Sequence, residues 1–480
     1  MKYSHDVIVI GAGSAGLVCS GGLAMFGLKP LLIERAAMGG DCLNTGCVPS
    51  KALISAAHRA HDMRNAAEFG MASVEPKVDF RAVHAAVHQA IKTIEPHDSV
   101  ERFEGMGVEV VRGDATFTGP KSVMVGGTTY TAPRIVIAVG SRAYVPPIKG
   151  LEHVPYLTNH NVWDLTELPQ RLIVLGGGPI GMEMAQAFRR LGSEVVVATK
   201  GWPFPKDDAD AAKIVIERLT GEGIELIHDA EADAVAKTAQ GLVLTLKDGR
   251  TISGTHLLIA TGREVNFDGL GLEAAGVRYD KKGILVDARR RTSEKHIYAI
   301  GDCREGPRFT HASGYEGGNV ALEISLGVPT KANYAALPWV TYTDPELAQV
   351  GMTEDEARRR FGDKITVWRE DFDHNDRAVT EREVTGFVKL VKKGSKVIGG
   401  TVVGRGAGDL ILPIAMMIAG KSSTFGVASL IVPYPNRSEH IKAAAFASDE
   451  GKVFNKWSRV WARFLAKRRG WVVGGRGVEA

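Results

Sequence analysis

The sequence predicts an α/β fold that holds two βαβ units, and a repeated pattern is the main reason. A short apolar run, a tight glycine cluster and a helical stretch occur at residues 7–26 and again at 172–190. Each is followed by a second apolar run, at 31–33 and at 194–198. Continuous apolar runs of this length suit strands buried on both faces, as in parallel sheets flanked by helices. At 480 residues the chain is too long for one core and is expected to divide into several domains. Its 44% hydrophobic and 24% charged content is that of a soluble globular protein.

In the first unit Val7-Ile8-Val9-Ile10 runs into Gly11-Ala12-Gly13-Ser14-Ala15-Gly16, and a helix is expected from Leu17 to Phe26. Gly11 permits the tight turn, Gly13 lets the backbone approach a pyrophosphate, and Gly16 allows strand and helix to pack closely. The helix N-terminus then holds the phosphate. Leu31-Leu32-Ile33 ends at Glu34, an acid placed to accept hydrogen bonds from a ribose diol. Glycines alone would fit a turn without ligand; strand, glycines, helix, strand and acid in order predict a Rossmann-like dinucleotide site. Cys19, inside the helix, reads as a small core residue.

Gly39-Gly40-Asp41-Cys42-Leu43-Asn44-Thr45-Gly46-Cys47-Val48-Pro49-Ser50-Lys51 follows, with two of the four cysteines five positions apart. Pro49 suits the first turn of a helix, which the apolar run from Ala52 to Ala57 continues. A helix N-terminus stabilises anions, so a thiolate at Cys47 is expected near neutral pH. Two thiols on one short loop can close an exchangeable disulfide. The competing readings are two buried thiols or half a metal site, and neither Cys19 nor Cys303 has the spacing to complete one.

Val83, Val87, Ala90, Ile91 and Ile94 form a helical stripe, so one helix is expected over Phe80 to Glu104. His84 and His88, like His58 and His61, lack a third ligand and read as a solvated face. Ile135 to Gly140 is expected to return as a buried strand, and Ser141 to Gly150 to be a linker.

In the second unit Leu172-Ile173-Val174-Leu175 precedes Gly176-Gly177-Gly178-Pro179-Ile180-Gly181, with a helix from Met182 to Arg190. Gly176, Gly178 and Gly181 take the places of Gly11, Gly13 and Gly16, so two dinucleotides are expected. The strand Glu194 to Ala198 ends at Thr199-Lys200, where an acid would grip a 2′-hydroxyl. Lys200 and Lys206 offer cations for a 2′-phosphate instead, which predicts NADPH, with NADH as the alternative.

Net charge is +4, and residues 452–480 hold eight Lys or Arg against one acid, Glu479, so the rest of the chain is mildly acidic. That distribution argues against a nucleic-acid binder. Phe454, Trp457, Trp461, Phe464 and Leu465 fall at helical spacing among the cations, so the tail is expected to meet a membrane surface or an acidic partner, or to dock on its own body. Few cysteines, a strand starting at once and no apolar run near the ~20 residues of a membrane span predict a cytoplasmic protein, with peripheral membrane contact through the tail.

Taken together, the chain resembles the pyridine nucleotide-disulfide oxidoreductases, the flavoprotein family of glutathione reductase, dihydrolipoamide dehydrogenase and mercuric reductase. The resemblance rests on GAGSAG at 11–16, GGDCLNTGCVPSK at 39–51, GGGPIGMEMA at 176–185, ATGR at 260–263, YAIGD at 298–302 and DPELAQVG at 344–351. It implies FAD across Gly11, Gly13, Gly16 and Glu34, with Gly301 and Asp302 reaching its ribityl–phosphate region. It also implies a Cys42–Cys47 redox disulfide, with Cys47 as the flavin-contacting thiol and Cys42 as the interchange thiol. Lys51 would sit by the flavin, paired with Glu183. The implied fold is α/β, with two Rossmann-like dinucleotide-binding domains plus a C-terminal α+β dimerisation domain, and the implied assembly is a homodimer. The implied segments are 1–149 and 264–330 for FAD, 150–263 for NAD(P)H, 331–450 for dimerisation and 451–480 as tail.

The chain departs from the family near its end. Reductases of small disulfides carry a His, supplied by the partner subunit, that protonates the leaving thiolate. Here Tyr434 stands in its place, with Glu439 retained five residues on. A phenol with pKa near ~10 is a poor proton shuttle at pH 7, and His440 should face elsewhere on its helix. Mercuric reductase resembles this chain in its Tyr, so a soft metal ion or an unusual disulfide is the expected substrate. The rivals are a dihydrolipoamide dehydrogenase-like dithiol oxidoreductase and a flavin redox relay docked to a membrane complex. Asp41 also replaces the family's usual Thr beside the interchange thiol.

Overall fold

The computed structural model describes residues 2–470, which gather into two compact units. One runs up to Lys206 and adds Ile216–Tyr334 and Thr341–Thr343; the other is Asp207–Val215, Ala335–Val340 and the chain from Asp344 onward.

The first unit holds two parallel sheets. In one, the strands stand in the order Ile297–Ala299, Arg134–Ile137, Val7–Ile10, Pro30–Glu34, Glu109–Arg112. Side chains alternate across a strand, and the cores follow. Ile8 and Ile10 pack with Phe117, Leu270 and Ile284, while Val7 and Val9 pack with Leu17, Leu23 and Val320 on the other face. That second face carries the helices Ser14–Met25 and Thr310–Leu326, which touch through Gly317, where a Cβ would stand 2.5 Å from the Ala15 carbonyl oxygen. The other parallel sheet has the order Glu225–Ile227, Glu194–Ala198, Arg171–Leu175, His256–Ile259.

In the second unit, Glu346–Gly351, Lys396–Gly404, Phe387–Lys393 and Ile365–Asp371 pair antiparallel in that order. The helices Leu412–Ile418 and Glu439–Ala447 cover the sheet through Ile414, Ile441 and Ala444. Lys389, buried here, draws Asp208, Asp210 and Glu354 to its ammonium at 2.8–3.1 Å. Glu354 is shared between Lys389 and Arg358.

Some elements differ from expectation. The single helix over Phe80 to Glu104 is two, Phe80–Ile94 and Val100–Gly105, separated by the 3-10 turn Glu95–Asp98. Pro96 has no N–H to continue the ladder, and the Ser99 hydroxyl caps the second helix. Ile94, in the predicted stripe, is exposed. Cys42 lies on a short helix, Gly40–Asn44, rather than in open loop, and the next helix begins at Cys47 itself, ahead of Pro49. In the tail the helix is Lys456–Arg468, with Phe454 outside it, and the part of the tail after Gly470 lies outside the described residues.

Candidate active site

The stretch 39–51 sits directly on the first glycine turn. The Gly39 N–H donates to the Ala12 carbonyl at 3.0 Å. Gly39 and Gly40 both adopt positive φ, +85° and +57°; a Cβ on Gly40 would stand 2.7 Å from the Gly13 Cα. Only glycine permits that conformation and that approach together. Cys42 is thereby carried to Cys47, and the two side chains share a hydrogen bond.

The two sulfurs are unequal. Cys47 heads the helix Cys47–Asn65. Its thiol is drawn down to about 6, first by the hydrogen bond from Cys42 and then by the Thr310 hydroxyl and the Lys51 charge, against burial and Asp41. The Thr310 Oγ1 lies 3.2 Å from the Cys47 Sγ. Cys42 is pushed well up, chiefly because it donates to Cys47 and then by burial. Near neutral pH this pair holds one negative charge, on Cys47. Cys19 and Cys303 are the opposite case: both are fully buried thiols pushed up to about 12 by burial, and Cys303 donates to the Ile300 and Ile137 carbonyls.

Lys51, one turn beyond Cys47, donates to the Glu183 carboxylate at 2.7 Å. Glu183 is buried, takes the Tyr342 N–H at 2.9 Å on its other oxygen, and the Lys51 ammonium lies 4.5 Å over the Tyr342 ring. Asp41 is not a free charge beside Cys42. It pairs with Arg263 at 2.5 Å, accepts from Asn159 at 2.9 Å and from the Thr45 hydroxyl. Arg263 also donates to the Ser141 hydroxyl at 2.7 Å, which in turn donates to Asp302 at 2.7 Å. The redox loop and the Gly301-Asp302 turn are thus joined through one guanidinium.

Both glycine clusters fit a dinucleotide, and each shows it the same way. A Cβ on Gly11 or Gly176 would lie 2.4 Å from the carbonyl oxygen of Ala138 or Ala260, and one on Gly16 or Gly181 would lie 1.8 or 2.1 Å from the preceding Gly11 or Gly176 carbonyl. Those four glycines are demanded by the chain's own packing. On Gly13 the nearest atom would be 3.9 Å away, and on Gly178 nothing lies within 4 Å. The middle glycine leaves open room at the first turn of the helix Ser14–Met25 or Pro179–Leu191, where free N–H groups suit a pyrophosphate. Glu34 closes the first cradle, accepting from Ala12 at 2.6 Å and Ala36 at 2.7 Å. In the second cradle Thr199 takes that place; Lys200 is exposed and 3.6 Å from Glu231, which Lys247 also holds, and Lys206 is exposed.

Tyr434 and Glu439 share no hydrogen bond. The Tyr434 hydroxyl donates to Asp376 at 2.5 Å, which pushes the phenol above its ordinary range, and the Glu439 charge lies near enough to push it up as well. Glu439 accepts the Asn436 N–H at 3.2 Å at the start of its own helix. His440 is buried, stacked on Phe372 and bonded to Asn375 and the Asp371 carbonyl. His88 bonds the Trp163 carbonyl, and no cluster of three metal-ligating side chains occurs among the described residues.

Three residues at this site escaped sequence reasoning, Thr310, Tyr342 and Asn159, and so did Asp376, the partner of Tyr434 in the other unit. Each is far along the chain from the group it touches. Arg263 was visible as part of ATGR, but nothing in the sequence pointed it at Asp41.

Residues 5–317 match the pyridine nucleotide-disulphide oxidoreductase domain, and residues 337–445 match the dimerisation domain that goes with it. The chain is 33% identical to a mercuric reductase of Bacillus cereus over 94% of its own length and 72% of the relative's. It is 35% identical to a dihydrolipoyl dehydrogenase of Bacillus subtilis, over 92% and 95% of the two lengths. Among solved structures, LpdA from Mycobacterium tuberculosis superposes with a TM-score of 0.85 at 28% identity, over 92% of this chain and 99% of that one. The Cu(II) complex of RclA, an HOCl-induced flavoprotein disulfide reductase from Escherichia coli, gives 0.83 at 25% identity over 93% and 100%.

Proposed function

The chain belongs to the pyridine nucleotide-disulphide oxidoreductases, FAD-dependent enzymes that use NAD(P)H, and from that premise we propose that it reduces a soft metal cation held at Cys42 and Cys47. FAD, when bound, supplies the passage of two electrons from the nicotinamide to the sulfur pair. The chain's own residues do the rest. The cradle of Gly11, Gly13, Gly16 and Glu34 binds that group, with Gly301 and Asp302 beside it, and Gly176, Gly178 and Gly181 bind the second dinucleotide. Reduction of a Cys42–Cys47 disulfide takes up two electrons and, near neutral pH, one proton, because Cys47 remains thiolate. Thr310 and Lys51 hold that negative charge, and Glu183 fixes Lys51. The dimerisation domain supports a homodimer as the working unit.

One observation carries the choice of substrate. The position that should protonate a leaving thiolate holds Tyr434, whose proton is committed to Asp376 and whose pKa is raised, not lowered. Expulsion of a thiol needs that proton; reduction of a cation bound between two sulfurs does not. RclA, similar in fold, forms a Cu(II) complex, which supports a metal cation as the class of substrate. Lys200 and Lys206 with Thr199 favour NADPH over NADH. We take the tail from residue 452 to be a contact site separate from this chemistry.

A second reading, oxidation of a dithiol such as dihydrolipoamide, is favoured by the 35% identity to a dihydrolipoyl dehydrogenase. Steady-state turnover separates them: NADPH with Hg²⁺ or Cu²⁺, NADPH with glutathione disulfide, and NAD⁺ with dihydrolipoamide, run side by side. We expect metal-dependent NADPH oxidation to dominate. Faster turnover with dihydrolipoamide than with either metal would overturn the proposal.

A further inference from the structure

The helix Lys456–Arg468 divides into three sectors at 100° per residue. Trp457, Val460, Trp461, Phe464 and Leu465 fill one side, which Arg468 joins at the helix's last residue. Lys456, Arg459, Arg463 and Lys467 form a basic strip, and Ser458, Ala462 and Ala466 a strip of small residues. From Lys456 to Arg469 there are six cations and no acid. The helix is secured at its root. Asn455 caps it by accepting from the Trp457 and Ser458 N–H groups, Lys452 pairs with Asp449 at 2.6 Å, and Phe454 lies edge-on to Phe446. Beyond that root not one of its residues is buried: Trp457 is 78% exposed and Trp461 60%. The expectation that this helix docks on its own body is not met among the described residues.

We propose that this helix seats the enzyme on an anionic lipid surface. An acidic protein or nucleic acid would be met by the basic strip alone. It would leave a side of two tryptophans, a phenylalanine, a leucine and a valine without use. A lipid interface takes both, with aromatic and aliphatic side chains at the acyl boundary and cations among anionic headgroups. The basic strip flanks the apolar side rather than opposing it, so the long Lys and Arg stems reach headgroups while the rings sink. No helix among the described residues is long and apolar enough to cross a membrane, so contact through this helix lies in the plane of the surface. In a homodimer two such helices would bind as a pair, and their joint affinity exceeds that of either alone. The inference rests on the tail being a contact site and does not depend on which substrate the thiols reduce.

Flotation of the full-length, flavin-loaded protein with phosphatidylcholine vesicles, with and without phosphatidylglycerol, tests it. We expect binding only to the phosphatidylglycerol vesicles, weakening as salt is raised. Arg459→Gln/Arg463→Gln/Lys467→Gln should lower partitioning by about 100-fold, at about fivefold per cation. Trp457→Ser/Trp461→Ser should release the protein while leaving the rate of flavin reduction by NADPH unchanged, which shows that the variant is folded. Equal binding to neutral vesicles, or binding unaffected by either set of substitutions, would overturn the proposal. So would a fall in oligomeric mass on deleting 452–480, which would mean that a second copy covers the helix. Binding to an acidic protein or to nucleic acid in preference to vesicles refutes it too.

Discussion

Replacing Thr310 with Val isolates the contribution that the sequence did not foretell. The side chain keeps its shape and loses the hydroxyl that lies 3.2 Å from the Cys47 sulfur. A hydrogen bond to a charged group contributes about 1.5–3 kcal/mol. Cys47 is open to solvent on one side, and screening places the effect at the lower end, about 1.4 kcal/mol or one pKa unit. The Cys47 thiol, held at about 6 in the parent, should therefore titrate near about 7 in the variant. The sign is set by which form the hydroxyl favours: it stabilises thiolate, so its loss raises the pKa. The readout is the long-wavelength thiolate-to-flavin charge-transfer absorbance of the two-electron-reduced enzyme, followed from acid to alkali. It should vanish in the parent as pH falls through about 6. At pH 6.5 the variant should retain about one third of the parent's intensity, and at pH 8.5 essentially all of it. Thr310→Ser should behave as the parent. If the Val and Ser variants titrate together, the hydroxyl does not set the thiolate, and the geometric account of Cys47 is wrong.

Three other outcomes test the remaining groups. Glu183→Gln removes the buried partner of Lys51, and the Lys51 charge that lowers the Cys47 pKa is then less firmly held. The charge-transfer titration should broaden toward higher pH, and flavin reduction by NADPH should slow by about tenfold or more; wild-type kinetics would remove Glu183 from the site. Asp41→Thr unpairs Arg263 and deletes a charge that raises both thiol pKa values, so iodoacetamide should alkylate the reduced enzyme about two- to fivefold faster at about pH 5, where only about a tenth of Cys47 is thiolate in the parent; a slower rate would reverse the sign assigned to Asp41. Tyr434→His restores a group titrating near neutrality, and glutathione disulfide turnover should rise by about tenfold or more while metal-dependent turnover falls; no change in either ratio would show that Tyr434 does not govern substrate choice.

Local chemistry made the nucleotide cradles readable from residue order alone. Gly16 and Gly181 are required by the Gly11 and Gly176 carbonyls five residues back, so that spacing is dictated within one βαβ unit and repeats when the unit repeats, while Gly11 and Gly176 answer to the returning chain at Ala138 and Ala260. The same holds for the buried strands, whose apolar runs need no distant information, and for the cysteine stretch, whose glycine pair meets the turn it docks on. What folding alone decided is which distant groups converge on that stretch. Thr310 reaches Cys47 because its helix packs on Ser14–Met25 through Gly317, and Arg263 reaches Asp41 across more than two hundred residues of sequence. Asp376, not Glu439, holds Tyr434, because a side chain's partner is chosen by the surface it faces and not by its offset along the chain. The tail shows the same division: periodicity reveals an amphipathic helix, but only the packed structure shows that its apolar side is left uncovered by the described residues of its own unit.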